Sequence, residues 1–264
     1  MLELKNIKKT FHKGTPNEKV ALDIENFKIN DGDFVSVIGG NGAGKSTLMN
    51  IISGSLLPDE GKIILDNTDV TTLSEHKRAK FLGRVFQDPN MGTAANMQIE
   101  ENLALAYRRG ERRGLKWGIT KAEREEYKKL LESFDLGLEN RLTAKVGLLS
   151  GGQRQALTLI MATLKKPKVL LLDEHTAALD PKTSAKVMSL TEKVVFENKL
   201  TTLMITHNMA NAIDYGNRLI LMHEGKIIYD VSGDEKSKLT VEDLLEKFRG
   251  SASELVNSDK IMLG

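Results

Sequence analysis

Two periodicities run through the chain. Residues Leu2 to Ile7 and Val20 to Ile29 alternate apolar and polar positions, as half-buried strands do, with Gly14-Thr15-Pro16-Asn17 as a turn between them. This predicts a small antiparallel sheet at the start. Phe34-Val35-Ser36-Val37-Ile38 and Val169-Leu170-Leu171-Leu172 are short apolar runs of the kind that a parallel strand buried on both faces needs. Gly61 to Asp66, Gly83 to Pro89 and Thr201 to Thr206 read as further strands. Helical spacing appears in Leu48 to Ile52, Ile99 to Ala106, Lys121 to Phe134 and Ala156 to Leu164. From about Met91 to Lys166 the pattern stays helical, which predicts a separate helical lobe. Thr240 to Phe248 has an N-cap Thr, acids in the first turn and a Lys near its end, and predicts a short amphipathic helix packed on the core.

Composition narrows the class. At 264 residues and 40% hydrophobic content the chain is one globular domain, or one domain with an inserted lobe. No apolar run approaches the roughly 18 to 20 residues that span a bilayer, and Met1-Leu2-Glu3-Leu4-Lys5 lacks a secretory signal, so a cytosolic location is expected. Having no cysteine excludes disulfides, thiolate metal sites and cysteine nucleophiles. With 38 basic against 36 acidic residues there is no global field favouring nucleic acid, and none is expected as a partner.

The chemistry starts at Gly39-Gly40-Asn41-Gly42-Ala43-Gly44-Lys45-Ser46-Thr47, which lies between a predicted strand and a predicted helix. The pattern is that of a phosphate-binding loop. Its glycines let backbone N–H groups converge without intervening side chains, and the helix that follows adds its positive dipole end. Lys45 would reach the terminal phosphates of a nucleotide, and the Ser46 hydroxyl would ligate Mg2+. Leu149-Ser150-Gly151-Gly152-Gln153-Arg154-Gln155 is a second stretch of anion-binding design, with a hydroxyl, free backbone N–H groups and a helix start facing one way.

Other candidates stand at strand ends, where an α/β sheet exposes its ligand crevice. Gln87 stands at the carboxyl end of one strand and would touch Mg2+ and an attacking water. Asp173 and Glu174 follow another; two adjacent carboxylates there divide the work of phosphoryl transfer, Asp173 holding the Mg2+ shell and Glu174 polarising the water. His207 follows a third, where it either senses a γ-phosphate or serves the structure. Phe11 is either a core or turn aromatic or a surface on which a purine stacks. The basic, glycine-punctuated segment Arg108 to Trp117 is either a solvated loop or a docking segment for a cytoplasmic partner or anionic lipid headgroups.

In this order, GGNGAGKST, Gln87, LSGGQ, LLLLDE, Ala177-Ala178-Leu179-Asp180 and His207 resemble the nucleotide-binding domain of ATP-binding cassette (ABC) proteins, from about Leu2 to Tyr229. The resemblance implies a P-loop NTPase core of the α/β class, like that of the recombination ATPases, with an N-terminal antiparallel β subdomain and an inserted α-helical subdomain. The expected division is 1–87 with 166–232 for the β subdomain and core, 88–165 for the helical lobe, and 233–264 for a helical tail.

It further implies ATP with Mg2+ and a head-to-tail pair of copies, in which Ser150, Gly151, Gly152 and Gln153 of one copy close over ATP held by Lys45 of the other. Asp180 would lie at the dimer seam. Phe11 becomes the base-stacking residue. Gln87 and the helical lobe would pass closure to a separately encoded transmembrane permease, at the cytoplasmic face of the membrane. Family members usually carry Pro after the glutamate where this chain has His175. The run from Asp173 to Pro181, the Leu-Lys-Trp-Gly insertion and Gly216-Asn217-Arg218-Leu219 look like ATPases of a bacterial importer group associated with substrate-binding lipoproteins, in particular those for aromatic amino acids. Two rival readings are a soluble ABC ATPase acting on ribosomes or DNA, and a cassette that binds ATP as a switch with negligible turnover.

Overall fold

The computed structural model describes residues 1–111 and 118–248. In chain order the elements are β1 (Leu2–Phe11), β2 (Lys19–Ile29), β3 (Phe34–Gly39), α1 (Lys45–Ser53), β4 (Glu60–Leu65) and β5 (Thr68–Asp69). Next come α2 (Glu75–Arg78), β6 (Leu82–Val85), α3 (Ile99–Tyr107), α4 (Lys121–Glu132), α5 (Gly151–Thr163), β7 (Val169–Asp173) and α6 (Pro181–Asn198). They are followed by β8 (Thr202–Ile205), α7 (Met209–Asp214), β9 (Arg218–His223), β10 (Lys226–Ser232), α8 (Gly233–Ser237) and a tail helix over 241–248. The described residues form two compact units: one combines Met1–Ser74 with those from Thr201 to 248, and the other takes those within Glu75–Leu200.

The first unit holds the expected antiparallel sheet, ordered β2-β1-β4-β5. Its register pairs Leu2 with Ile29 and Leu4 with Phe27, so the apolar positions of both strands share one face and are buried. In the same unit β3 lies between two parallel neighbours, β8 and β9, with Val35 opposite Leu203 on one side and Arg218 on the other. Parallel pairing brings the carboxyl ends of these strands to one edge. The loop after β3 and His207 beyond β8 therefore leave the sheet on the same side.

The β9–β10 hairpin lies outside the strands that alternation predicts, although its signal is present in the sequence. Glu224-Gly225 separates two apolar runs, and both residues have positive φ, 45° and 78°. That is the backbone a two-residue hairpin turn requires. Gly225 also donates its N–H to the Ala43 carbonyl (3.0 Å) and accepts from Asp23 N–H (3.0 Å), so the turn braces the phosphate loop from behind.

In the second unit β6 pairs in parallel with β7, Val85 opposite Leu172. The strand ends at Val85, so Gln87 stands two residues beyond it rather than inside the strand read over Gly83 to Pro89. The helical part gathers Ile99, Leu103, Tyr127, Leu131, Val146, Leu157 and Ile160 into one buried cluster. Helix α5 begins at Gly151, five residues before the run read from periodicity, because Ser150 caps it: Ser150 Oγ accepts from Gln153 N–H and Gln153 Oε1 accepts from Ser150 N–H.

Helix α6 is an element that the motif around Asp180 and Pro181 does not by itself announce. Asp180 is its N-cap, accepting from Thr183 N–H (3.1 Å), and Pro181 stands at its first position. Its buried stripe is Val187, Met188, Leu190, Thr191, Val194 and Val195. Each aliphatic side chain fully buried there contributes about 1.5–3 kcal/mol.

Thr240 caps the tail helix as expected: its Oγ1 accepts from Asp243 N–H (3.2 Å) and donates to Asp243 Oδ2 (2.7 Å). Leu244 and Phe248 pack against Ile38, Ala212, Leu219, Leu221 and Val231. Among the described residues no helix is long and apolar enough to cross a membrane. Of the basic segment 108–117, residues 112–117 lie outside the described residues.

Candidate functional site

In the first unit, the turn from β3 into α1 is shaped by glycine. A Cβ at Gly39 would stand 2.3 Å from the Met222 carbonyl oxygen, and Gly44 has φ +98° with the Ala21 carbonyl oxygen 2.6 Å from where its Cβ would be. A larger residue fits neither position. Gly44 is also the N-cap of α1, and it offers no side-chain oxygen to the first turn. The start of α1 therefore presents backbone donors at a positive dipole end with no acceptor from the cap side chain, which is the chemistry that receives a phosphate.

Lys45 is 6% exposed and its Nζ donates to the carbonyls of Gly39 (2.8 Å) and Gly40 (3.0 Å), folded over the loop that it would share with a phosphate. Ser46, Asn41 and Gly42 are exposed, Thr47 is half-buried and Ala43 is buried. The Phe248 ring stands 3.2 Å from the position that a Cβ on Gly40 would take, so the tail helix touches the loop. Phe11 is exposed at the end of β1, with Lys9 Nζ 6.0 Å from its ring centroid. It is available as a flat stacking surface. His207 is exposed directly beyond β8, ahead of α7, which Asn208 caps by accepting from Asn211 N–H (3.0 Å).

In the second unit, Asp173 ends β7 and Glu174 follows it. Glu174 has φ +45°, a left-handed backbone that costs a non-glycine residue about 1–3 kcal/mol and persists only where the surroundings enforce it. Its carbonyl accepts from Ala177 N–H (2.9 Å), closing the turn. Arg84, which sequence reasoning passed over, places its guanidinium 3.3 Å from Asp173 Oδ2 and stacks on Phe86. A lone cation in an otherwise apolar strand next to an acidic strand end was the signal that could have found it. Gln87 is exposed. Asp173 and Gln87, like the Ser46 hydroxyl of the first unit, are hard oxygen donors of the type Mg2+ takes.

The signature stretch is crowded by its own chain. A Cβ on Gly152 would stand 2.1 Å from Thr183 Cγ2, whereas one on Gly151 would meet only Leu179 Cδ2 at 3.5 Å. Ser150 is exposed, and Gln153 Nε2 donates to the Leu136 carbonyl (3.2 Å). Asp180 is exposed, and hydrogen bonds from Thr183 hold its carboxyl below the usual carboxylate range.

His175 is 2% exposed, and burial pushes its imidazole down to about 4. An unfolded imidazole takes up a proton below about 6.5, while the folded one stays neutral to about 4. Stability is thus full above about 6.5 and declines as pH falls from there towards about 4, by up to about 3 kcal/mol. Urea unfolding at pH 7.5 and pH 5 should show this loss in the wild type and a smaller one in His175→Gln; equal losses would remove His175 as the cause.

The ABC transporter family model matches residues 22–177. The chain is 51% identical to a tyrosine transport ATP-binding protein of Clostridioides difficile, over 94% of this chain and 98% of the relative. It is 30% identical to a phosphonates import ATP-binding protein of Halalkalibacterium halodurans, over 92% and 93%. Among solved structures, it is similar to an ATP-binding cassette of an ABC transporter in its ADP conformation (30% identity, TM-score 0.77, 95% of this chain and 98% of that one). A dimeric cassette in a post-hydrolysis state with ADP and Pi is also similar (32% identity, TM-score 0.74, 88% and 98%). The chain belongs to the ABC transporter family, as an ATP-binding and ATP-hydrolysing subunit.

Proposed function

We propose that this chain drives an importer for an aromatic amino acid of the tyrosine class, as one of two identical copies beneath a membrane permease, at the cytoplasmic face of the membrane and supplied by a substrate-binding lipoprotein. The observation that carries the ATPase chemistry is that, in each unit, the reactive side chains follow the carboxyl ends of parallel strands: the Lys45 loop after β3, His207 after β8, Gln87 after β6, and Asp173 with Glu174 after β7. The tyrosine transport relative, aligned over nearly its whole length, supports the substrate class.

In this reading Phe11 stacks on the adenine, and residues Gly39 to Thr47 cradle the phosphates through backbone N–H groups, with Lys45 on the terminal ones. Ser46, Gln87 and Asp173 would hold Mg2+, which supplies charge neutralisation on the phosphate oxygens when bound. Glu174 accepts a proton from the water that attacks the γ-phosphate, and ADP and inorganic phosphate leave. His207 orients that water. Ser150, Gly151, Gly152 and Gln153 of the second copy complete the site, and Asp180 lies at the seam.

Two copies per working site make turnover concentration-dependent. Hydrolysis per chain should fall in proportion to dilution once the chain is mostly monomeric; a constant rate per strictly monomeric chain overturns the shared site. In vesicles carrying the permease and lipoprotein, tyrosine should stimulate hydrolysis above the rate with an aliphatic amino acid. Equal rates overturn the substrate class. Retention on ribosomes instead of the permease would favour the non-transport reading.

A further inference from the structure

His175 is the one fully buried imidazole next to the proposed catalytic carboxylate, and its contacts show what it is tied to. Its Nε2 lies 3.0 Å from Thr191 Oγ1 on α6. The Thr191 hydroxyl also lies 2.8 Å from the Val187 carbonyl oxygen one turn earlier, to which it donates its only proton. The imidazole nitrogen must then be the donor, which fixes the tautomer with the proton on Nε2. At 2% and 0% exposure the two side chains are shielded from bulk water. The bond therefore fastens the residue after Glu174 to the middle of an eighteen-residue helix whose N-cap is Asp180.

Glu174 needs such a fastening. Its φ of +45° is a conformation that the rest of the structure has to enforce. On the preceding side Asp173 is held by the strand β7 and by Arg84. On the following side the chain enters the turn closed by Ala177 N–H, and His175 is its buried side chain.

We propose that His175 is a positioning residue for Glu174: its Nε2–H bond to Thr191 holds the left-handed backbone of Glu174 against α6 and so aims the carboxylate at the attacking water. This rests on the reading of Glu174 as the proton acceptor given above. His175 itself touches neither nucleotide nor water in this scheme; it acts through the backbone. A displacement of about 1 Å at a catalytic group costs on the order of 10²-fold in rate, which sets the scale of the effect.

The test is single-turnover phosphate release by the full chain for His175→Ala, His175→Gln, Thr191→Val and the His175→Ala/Thr191→Val pair, each also made in the Glu174→Gln background. The expected result is a fall of about 10- to 100-fold in the chemical step for His175→Ala and Thr191→Val, with ATP affinity within about twofold of wild type. His175→Gln, which keeps a donor nitrogen at similar reach, should recover most of the rate. The pair should be no slower than the worse single variant, and in the Glu174→Gln background neither change should slow the reaction further, because the carboxylate to be aimed is gone.

A wild-type rate for both His175→Ala and Thr191→Val overturns the proposal. So does a loss seen only as weaker ATP binding, or a full multiplicative loss in the Glu174→Gln background. Should His175→Ala fail to fold, Thr191→Val and His175→Gln keep the packed volume and decide the matter. Wild-type turnover by Glu174→Gln alone would instead overturn the catalytic reading beneath it, an outcome distinct from all of these.

Discussion

Replacing Glu174 with Gln is expected to slow ATP hydrolysis by about 10²- to 10⁴-fold, equivalent to about 3 to 5 kcal/mol of barrier, while ATP still binds. The substitution keeps the side chain's size and polarity and removes only its capacity to take a proton from water. It changes no residue of the phosphate loop, which runs from Gly39 to Thr47. With binding intact and chemistry stopped, two copies should stay closed around ATP. A dimer that accumulates with ATP but not with ADP, seen by light scattering, is the companion measurement. Near-normal phosphate release by the variant would take Glu174 out of its assigned role.

Lys45→Ala should weaken ATP binding by about 10- to 100-fold, the equivalent of losing a charge-assisted hydrogen bond worth about 1.5–3 kcal/mol. The buried ammonium has two tasks, however. Besides its prospective phosphate it bridges the carbonyls of Gly39 and Gly40, so its loss also loosens the loop. Adenosine separates the two effects, because it lacks phosphates: its affinity should be unchanged by the substitution while that of ATP falls. Equal ATP affinity in wild type and variant would discredit the phosphate socket.

What could be read in the sequence depended on whether a feature announces itself locally. The phosphate loop did, because its glycines, lysine and hydroxyls lie within one turn and are flanked by an apolar strand and a helical run. The β1–β2 pair did as well, since period-two alternation specifies both strand and face. Tertiary partners did not. Arg84 lies far along the chain from Asp173, and His175 meets Thr191 only because α6 folds back beside the end of β7. Helix α6 and the Glu224-Gly225 hairpin carried clear local signals, a Pro at the first helical position and a turn dipeptide between apolar runs. Each signal rests on one or two residues, too few for apolar periodicity alone to place an element. The start of α5 shifted for a related reason: glycines that periodicity treats as breakers are helical once a capping box precedes them.

The close approach of Gly152 to Thr183 changes how an alanine scan of the signature stretch should be interpreted. A methyl group at 152 collides with the chain's own α6, so inactivity of that variant reports intramolecular crowding before it reports anything about a neighbour. At 151 the same methyl finds ordinary van der Waals space. Of the two adjacent glycines, the informative probe of what a second copy presses against is therefore the first.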